Sequence, residues 1–270
     1  MKKNRVLSGF LACCTAGVSM LGSAINAGAI NLHDSALMSE EEKQIKEYCD
    51  IAVNLVNNER VFYRGLPEVA TFPLLNEVTC IRAEELAQEF GHYRPDGSLC
   101  FSVVKQAKIK YGSIAENIAA GRADPASTMQ QWMDSKGHRE NILNPTYTHI
   151  GIGYFYKPET TYTYHWSMFL IMSTKGEEPA VFEGQYIPER WLGDPDGSHE
   201  TNAADAKMIL YYAANRAAGI SISTPTGFTE AADINQDGNI DAVDAAAILE
   251  YSAAKGAGGD NIQLSDFIWK

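Results

Sequence analysis

Oxygen-bearing residues recur at a fixed spacing near the C-terminus. Counted from Asp233, they stand at positions one, three, five, nine and twelve of a loop, as Asp233, Asn235, Asp237, Asp241 and Asp244, with Gly238 at position six. Alternate residues of a tight loop point inward, and a glycine frees the backbone for the sharp turn in its middle. With the carbonyl of Asn239 at position seven, the spacing makes a cage for a hard cation taking about six to eight oxygens at ~2.3–2.6 Å, and calcium is the ion expected. A second copy starts 39 residues earlier, with Asp194, Asp196, Ser198, Glu200, Asn202 and Asp205 at positions one, three, five, seven, nine and twelve. Duplication argues against a mere acidic turn. The first copy has His199 at position six and places Gly197 ahead of it, so looser calcium binding is expected there.

The remaining chemistry-bearing residues lie upstream. Four of the six histidines, His92, His138, His149 and His165, fall between residues 90 and 170. An imidazole beside a carboxylate is the usual proton-transfer pair, and two imidazoles with one carboxylate can hold zinc with a fourth position open. His138, beside an Asn-Ile-Leu turn, and His149, at a strand start, read as packing or capping residues. Ser98 and Ser167 stand in no strained Gly-x-Ser-x-Gly elbow, so no nucleophile declares itself.

Elements that position these groups follow from the apolar periodicity. Ser39 with Glu42 is a capping signal before a helix whose stripe runs through Ile45, Cys49, Ala52, Val53 and Val56. A second helix is expected after Pro73, with Ala83, Leu86, Ala87 and Phe90 on one face and Gly91 ending it. Residues 149–156 and 163–173 are rich in β-branched and aromatic side chains and read as strands. Helices first and strands last give an α+β class. In the tail, each oxygen-rich loop runs into a helix with an Ile-Leu-Tyr stripe, as Ile209, Leu210 and Tyr212 repeat in Ile248, Leu249 and Tyr251.

The chain of 270 residues carries a net charge of −12, which argues against nucleic acid as a partner. Residues 1–29 have a basic start, an apolar run and Ala27-Gly28-Ala29, and read as a secretory signal peptide. No later stretch stays apolar for ~18 residues, so no transmembrane span is expected in the mature chain. Cys13 and Cys14 leave with the signal, and Cys49, Cys80 and Cys100 allow one disulfide at most. Two domains result, 30–185 with a following linker and an acidic 186–270.

Both domains resemble known families. LVNNER (55–60), HYRPDG (92–97), AENIA (115–119), GHRENILNP (137–145) and YHWSMFLI (164–171) resemble, together and in order, the CAP superfamily of cysteine-rich secretory proteins, also called the SCP domain. The resemblance implies an α-β-α sandwich with a cleft of histidines and glutamates, and it carries His92, Glu116 and His165 onto that cleft. It also implies a second cleft glutamate, but Tyr93 to Ala115 contains none. Zinc in the cleft, an unidentified CAP ligand, or peptidase-like general-base hydrolysis are its functional expectations. The tail is similar to a type I-like dockerin, a small all-α module with two EF-hand-like calcium loops. Its implied partner is the cohesin of a cellulosome scaffoldin, in an extracellular, cell-surface setting of plant polysaccharide breakdown. Partner contacts would start at loop positions ten and eleven, here Ala203, Ala204, Ala242 and Val243.

Overall fold

Ser39 starts the first helix because its hydroxyl accepts from the Glu42 N–H at 3.2 Å while the Glu42 carboxylate accepts from the Ser39 N–H at 2.8 Å. In this computed structural model, which describes residues 38–174, 184–259 and 261–268, helix α1 (Glu40–Asn57) buries Cys49, Ala52, Val53 and Val56. It runs into a π-helical turn, Asn58–Phe62. Arg60 in that turn is fully buried and donates to the carbonyls of Pro67, Ile142, Asn144 and Tyr147. One side chain thereby ties two connecting segments to the π-helical turn. The expected signal peptide lies outside the described residues, among which no helix is long and apolar enough to cross a membrane.

Helices α2 (Pro73–Leu86) and α3 (Ser102–Gln106) precede strand β1 (Ser113–Ala120). Helices α4 (Pro125–Asp134) and α5 (Lys136–Ile142) follow, then β2 (His149–Tyr156) and β3 (Tyr164–Met172). The strands form an antiparallel sheet in the order β1-β3-β2. Because side chains alternate, Trp166, Met168 and Leu170 of β3 face α1 and α4, while Phe169 and Ile171 face α2 and α3. The sandwich therefore has helices on both faces. Gly153 is required where α2 presses on β2, since a Cβ there would collide with the backbone carbonyl of Thr79.

Two elements depart from the sequence expectation. Helix α2 ends at Leu86 and leaves Phe90 43% exposed, because buried Arg82 binds the Gly91 and Tyr93 carbonyls and turns the chain away. Ser113–Ala120, whose alanines, Glu116 and Asn117 are poor strand formers, is a strand because it pairs along all of β3.

The tail folds as helices α6 (Ala203–Ala217), α7 (Phe228–Ala232) and α8 (Ala242–Gly256), with a 3-10 turn at Leu264–Phe267. Ala206, Ile209, Phe228, Ile234, Ala245 and Ile248 make its core, and Phe62 of the upstream domain completes it.

Candidate functional site

Glu116 stands midway along β1, an edge strand of the sheet, opposite Phe169, with its carboxylate only 1% exposed. A carboxylate so buried needs partners. Arg82 Nε donates to Glu116 Oε1 at 2.7 Å, and His92 Nδ1 lies 2.6 Å from Oε2. His92 is held by its own loop: its carbonyl accepts from the Cys100 N–H, Tyr93 bridges Leu99, and Gly97 takes φ +81° in the turn between them. The imidazole is 57% exposed. With Glu116 orienting Nδ1, the other ring nitrogen is free to act as a base or a ligand.

Cys100 occupies the space beside this pair. One ligand atom each from His92, Cys100 and Glu116 lie within 4.8 Å of one another. No sequence motif marked this cysteine, since its approach to Glu116 depends on the fold. Burial and then the Glu116 charge push its thiol up to about 12, so it stays protonated at neutral pH. A nitrogen, a sulfur and a carboxylate fit zinc by donor type. Among the described residues, Cys49, Cys80 and Cys100 are free thiols, and Cys49 adjoins Cys80 rather than Cys100.

His165 is not brought into this cluster. It pairs with Ala120 and Phe155, four residues along β3 from Phe169, which is about 13 Å at strand rise. Its ring is 1% exposed, and burial lowers its pKa. His138 comes near His92 instead: burial, then the His92 charge, lowers its pKa, and its carbonyl accepts from Asn117 beside Glu116. Its position in the Gly-His-Arg stretch of α5 is the signal available. His149 is buried against Phe72 and bonded to Gln185, a packing role.

The two oxygen-rich loops adopt the same geometry. Asp194 accepts from the N–H groups of Ser198 and His199, as Asp233 does from Asp237 and Gly238. Asp205 accepts from Asn202 and Asp196, as Asp244 does from Asp241 and Ile234. His199 at φ +63° takes the left-handed backbone that Gly238 takes at +83°, so the histidine does not break the loop. Asp194, Asp196 and Asp205 place oxygens within 4.8 Å of one another. Burial, then the Asp196 charge, pushes Asp194 up to about 7 and Asp205 up to about 8. Three crowded carboxylates, those of Asp194 and Asp205 buried and Asp196 half-buried, are a donor set that suits calcium even with the Arg190 guanidinium nearby. Among the described residues, no trio of second-loop carboxylates reaches that spacing. Asn202 and Asp241 cap α6 and α8, Ser198 donates to the Glu200 carbonyl, Asn235 accepts from the Asp237 N–H, and Asp237 accepts from the Asn239 N–H. Ala203, Ala204, Ala242 and Val243 open helices α6 and α8 and are exposed.

Two family models match separate parts of the chain. The Cysteine-rich secretory protein family (CAP) matches residues 53–169, and the Dockerin type I domain matches 192–251. YkwD of Bacillus subtilis is 35% identical over 112 residues, 41% of this chain and 43% of its own length. The membrane protein YlbC of the same organism is 27% identical over 119 residues, 43% of this chain and 32% of its own. The chain thus spans less than half the length of these relatives. A crystal structure of an extracellular SCP-domain protein from Bacillus anthracis aligns at 21% identity and TM-score 0.43, covering 50% of this chain and 44% of that one. An outer surface protein of Borrelia burgdorferi aligns at 15% and 0.40, covering 51% and 97%. The chain carries a CAP domain of the Cysteine-rich secretory protein family followed by a C-terminal Dockerin type I domain.

Proposed function

We propose that this is a secreted CAP protein seated on a cell-surface scaffoldin by its calcium-loaded dockerin, in the setting of plant cell wall polysaccharide breakdown. Calcium, when bound, neutralises the loop carboxylates and fixes the starts of α6 and α8. The observation that carries the reading is the repeated, uncovered apolar surface beside those loops. Ala203 and Ala204 with Leu210 and Tyr211 on one helix, and Ala242 and Val243 with Leu249 on the other, are all exposed, and Val243 is 42% so. Small residues let a partner backbone approach closely, and the larger ones supply apolar area. Titrating the full chain with a panel of type I cohesins in a calorimeter tests this. Binding abolished by chelation and weakened about tenfold or more by Val243→Asp is expected; no binding to any cohesin with calcium present overturns it.

In the CAP domain, His92 and Glu116 line a site for a ligand. The 2.6 Å contact between His92 and Glu116 also favours a second reading, metal-assisted or general-base hydrolysis, with Cys100 and His138 adjoining. Zinc binding by the full chain that His92→Ala abolishes supports it; indifference to zinc leaves ligand binding.

A further inference from the structure

The two calcium loops are alike in sequence and opposite in surroundings. In the second loop, residues 236–239 are exposed; in the first, Asp194, Pro195 and Gly197 are buried. What buries them is the CAP domain. Asn58 Nδ2 donates to the Asp196 carbonyl at 2.7 Å, and Asn54 Nδ2 donates to the Gly197 carbonyl at 3.3 Å. Arg190 Nη1 donates to the Pro195 carbonyl at 2.7 Å, and its Nη2 reaches the Asn54 carbonyl at 3.4 Å. Three successive carbonyls at loop positions two to four are thus each held by a side chain. Contact is close: a Cβ on Gly197 would lie 2.5 Å from the Asn54 side chain. His199 at position six stacks on Trp191 with centroids 4.2 Å apart and meets Glu47 of α1 at 3.3 Å. A glycine there would lose both contacts.

We propose that the CAP domain is a structural part of the first calcium site, so that the first loop binds calcium more tightly than the second and calcium in turn locks the dockerin onto the CAP domain. The proposal rests on reading both loops as calcium sites. A loop whose outward carbonyls are already fixed loses less conformational freedom when it closes on an ion. It also offers three charged donors, Asp194, Asp196 and Asp205, within 4.8 Å of one another, where the second loop has the neutral Asn235 at the position of Asp196. Coupling is reciprocal: whatever factor the interface adds to calcium affinity, calcium adds to the stability of the interface.

The test uses the full chain, stripped by chelation and titrated with calcium in a calorimeter. Two sites of unequal affinity are expected, with Asp233→Ala removing the weaker one. Asn58→Ala is expected to weaken the tighter one about tenfold, the effect of one buried hydrogen bond. In the unmodified protein, protease cleavage within 186–193 should fall with the calcium midpoint of the tighter site. Loss of the tighter site in Asp233→Ala, unchanged affinity in a folded Asn58→Ala protein, or cleavage indifferent to calcium each overturn the proposal. If Asn58→Ala does not fold, the Asp233→Ala assignment and the cleavage midpoint still decide it. Absence of any calcium heat defeats the calcium reading itself, a separate outcome.

Discussion

Phe62 belongs to the CAP domain by sequence and to the dockerin core by position. It lies in the π-helical turn after α1, is 3% exposed, and has the Phe228 and Tyr211 rings at 5.2 and 5.5 Å. A phenylalanine takes about 150–250 Å² out of water, which at ~25 cal/mol/Å² gives about 4–6 kcal/mol as an upper figure. Measured Phe→Ala changes of ~3–5 kcal/mol bracket the expectation for Phe62→Ala. If the interface between the domains is worth less than that, the dockerin undocks and the loss stops at the interface's own free energy. Guanidinium unfolding at saturating calcium, followed by tryptophan fluorescence and far-UV circular dichroism, separates these cases. A single transition shifted by ~3–5 kcal/mol means the domains stay together, and two transitions mean that they part. A shift under about 1 kcal/mol with one unchanged transition would refute the placement of Phe62 in a shared core.

Two further outcomes follow from the CAP sandwich. Glu116→Gln takes the 2.7 Å carboxylate partner from Arg82, which has 0% side-chain exposure and keeps only the longer 3.5 Å pair with Glu85, and should cost ~3–5 kcal/mol in a thermal melt. His92→Ala, at a half-exposed ring, should cost under ~1 kcal/mol, and equal costs would mean that the ion pair is not what holds the strand. Burial sets the folded pKa of His165 below its ordinary value of 6.5, so the unfolded chain binds more protons. Its contribution is therefore full above about pH 6.5 and lost as pH falls below that. His165→Phe should flatten this acid-side slope in urea titrations between pH 5 and 7, and an unaltered slope would assign it to other groups.

Local patterns were the legible part of the chain. The Ser39–Glu42 capping box, the apolar stripe of α1, the two strands and the duplicated loops each depend on residues close in sequence, and each stands as read. What local pattern did not show depends on distant pairing. Strand β1 is alanine-rich and owes its conformation to β3, some fifty residues later. Cys100 joins Glu116 because α3 packs under the sheet. His165 shares a sheet face with Glu116 but sits too far along the strand, and a motif gives parity and not distance.

The same limit explains the first calcium loop. Judged by its own twelve residues it is the poorer copy, with histidine where glycine belongs. But backbone strain at one left-handed residue costs only about 1–2 kcal/mol, and the fold offsets it with a stacked Trp191, a Glu47 contact and three tethered carbonyls. None of these is visible in a loop read alone, because Asn54 and Asn58 lie about 140 positions upstream. The second loop keeps its glycine and has no such support, since it faces solvent and must hold its shape by itself. A departure from consensus can therefore mark the copy whose environment has taken over the work of the missing residue.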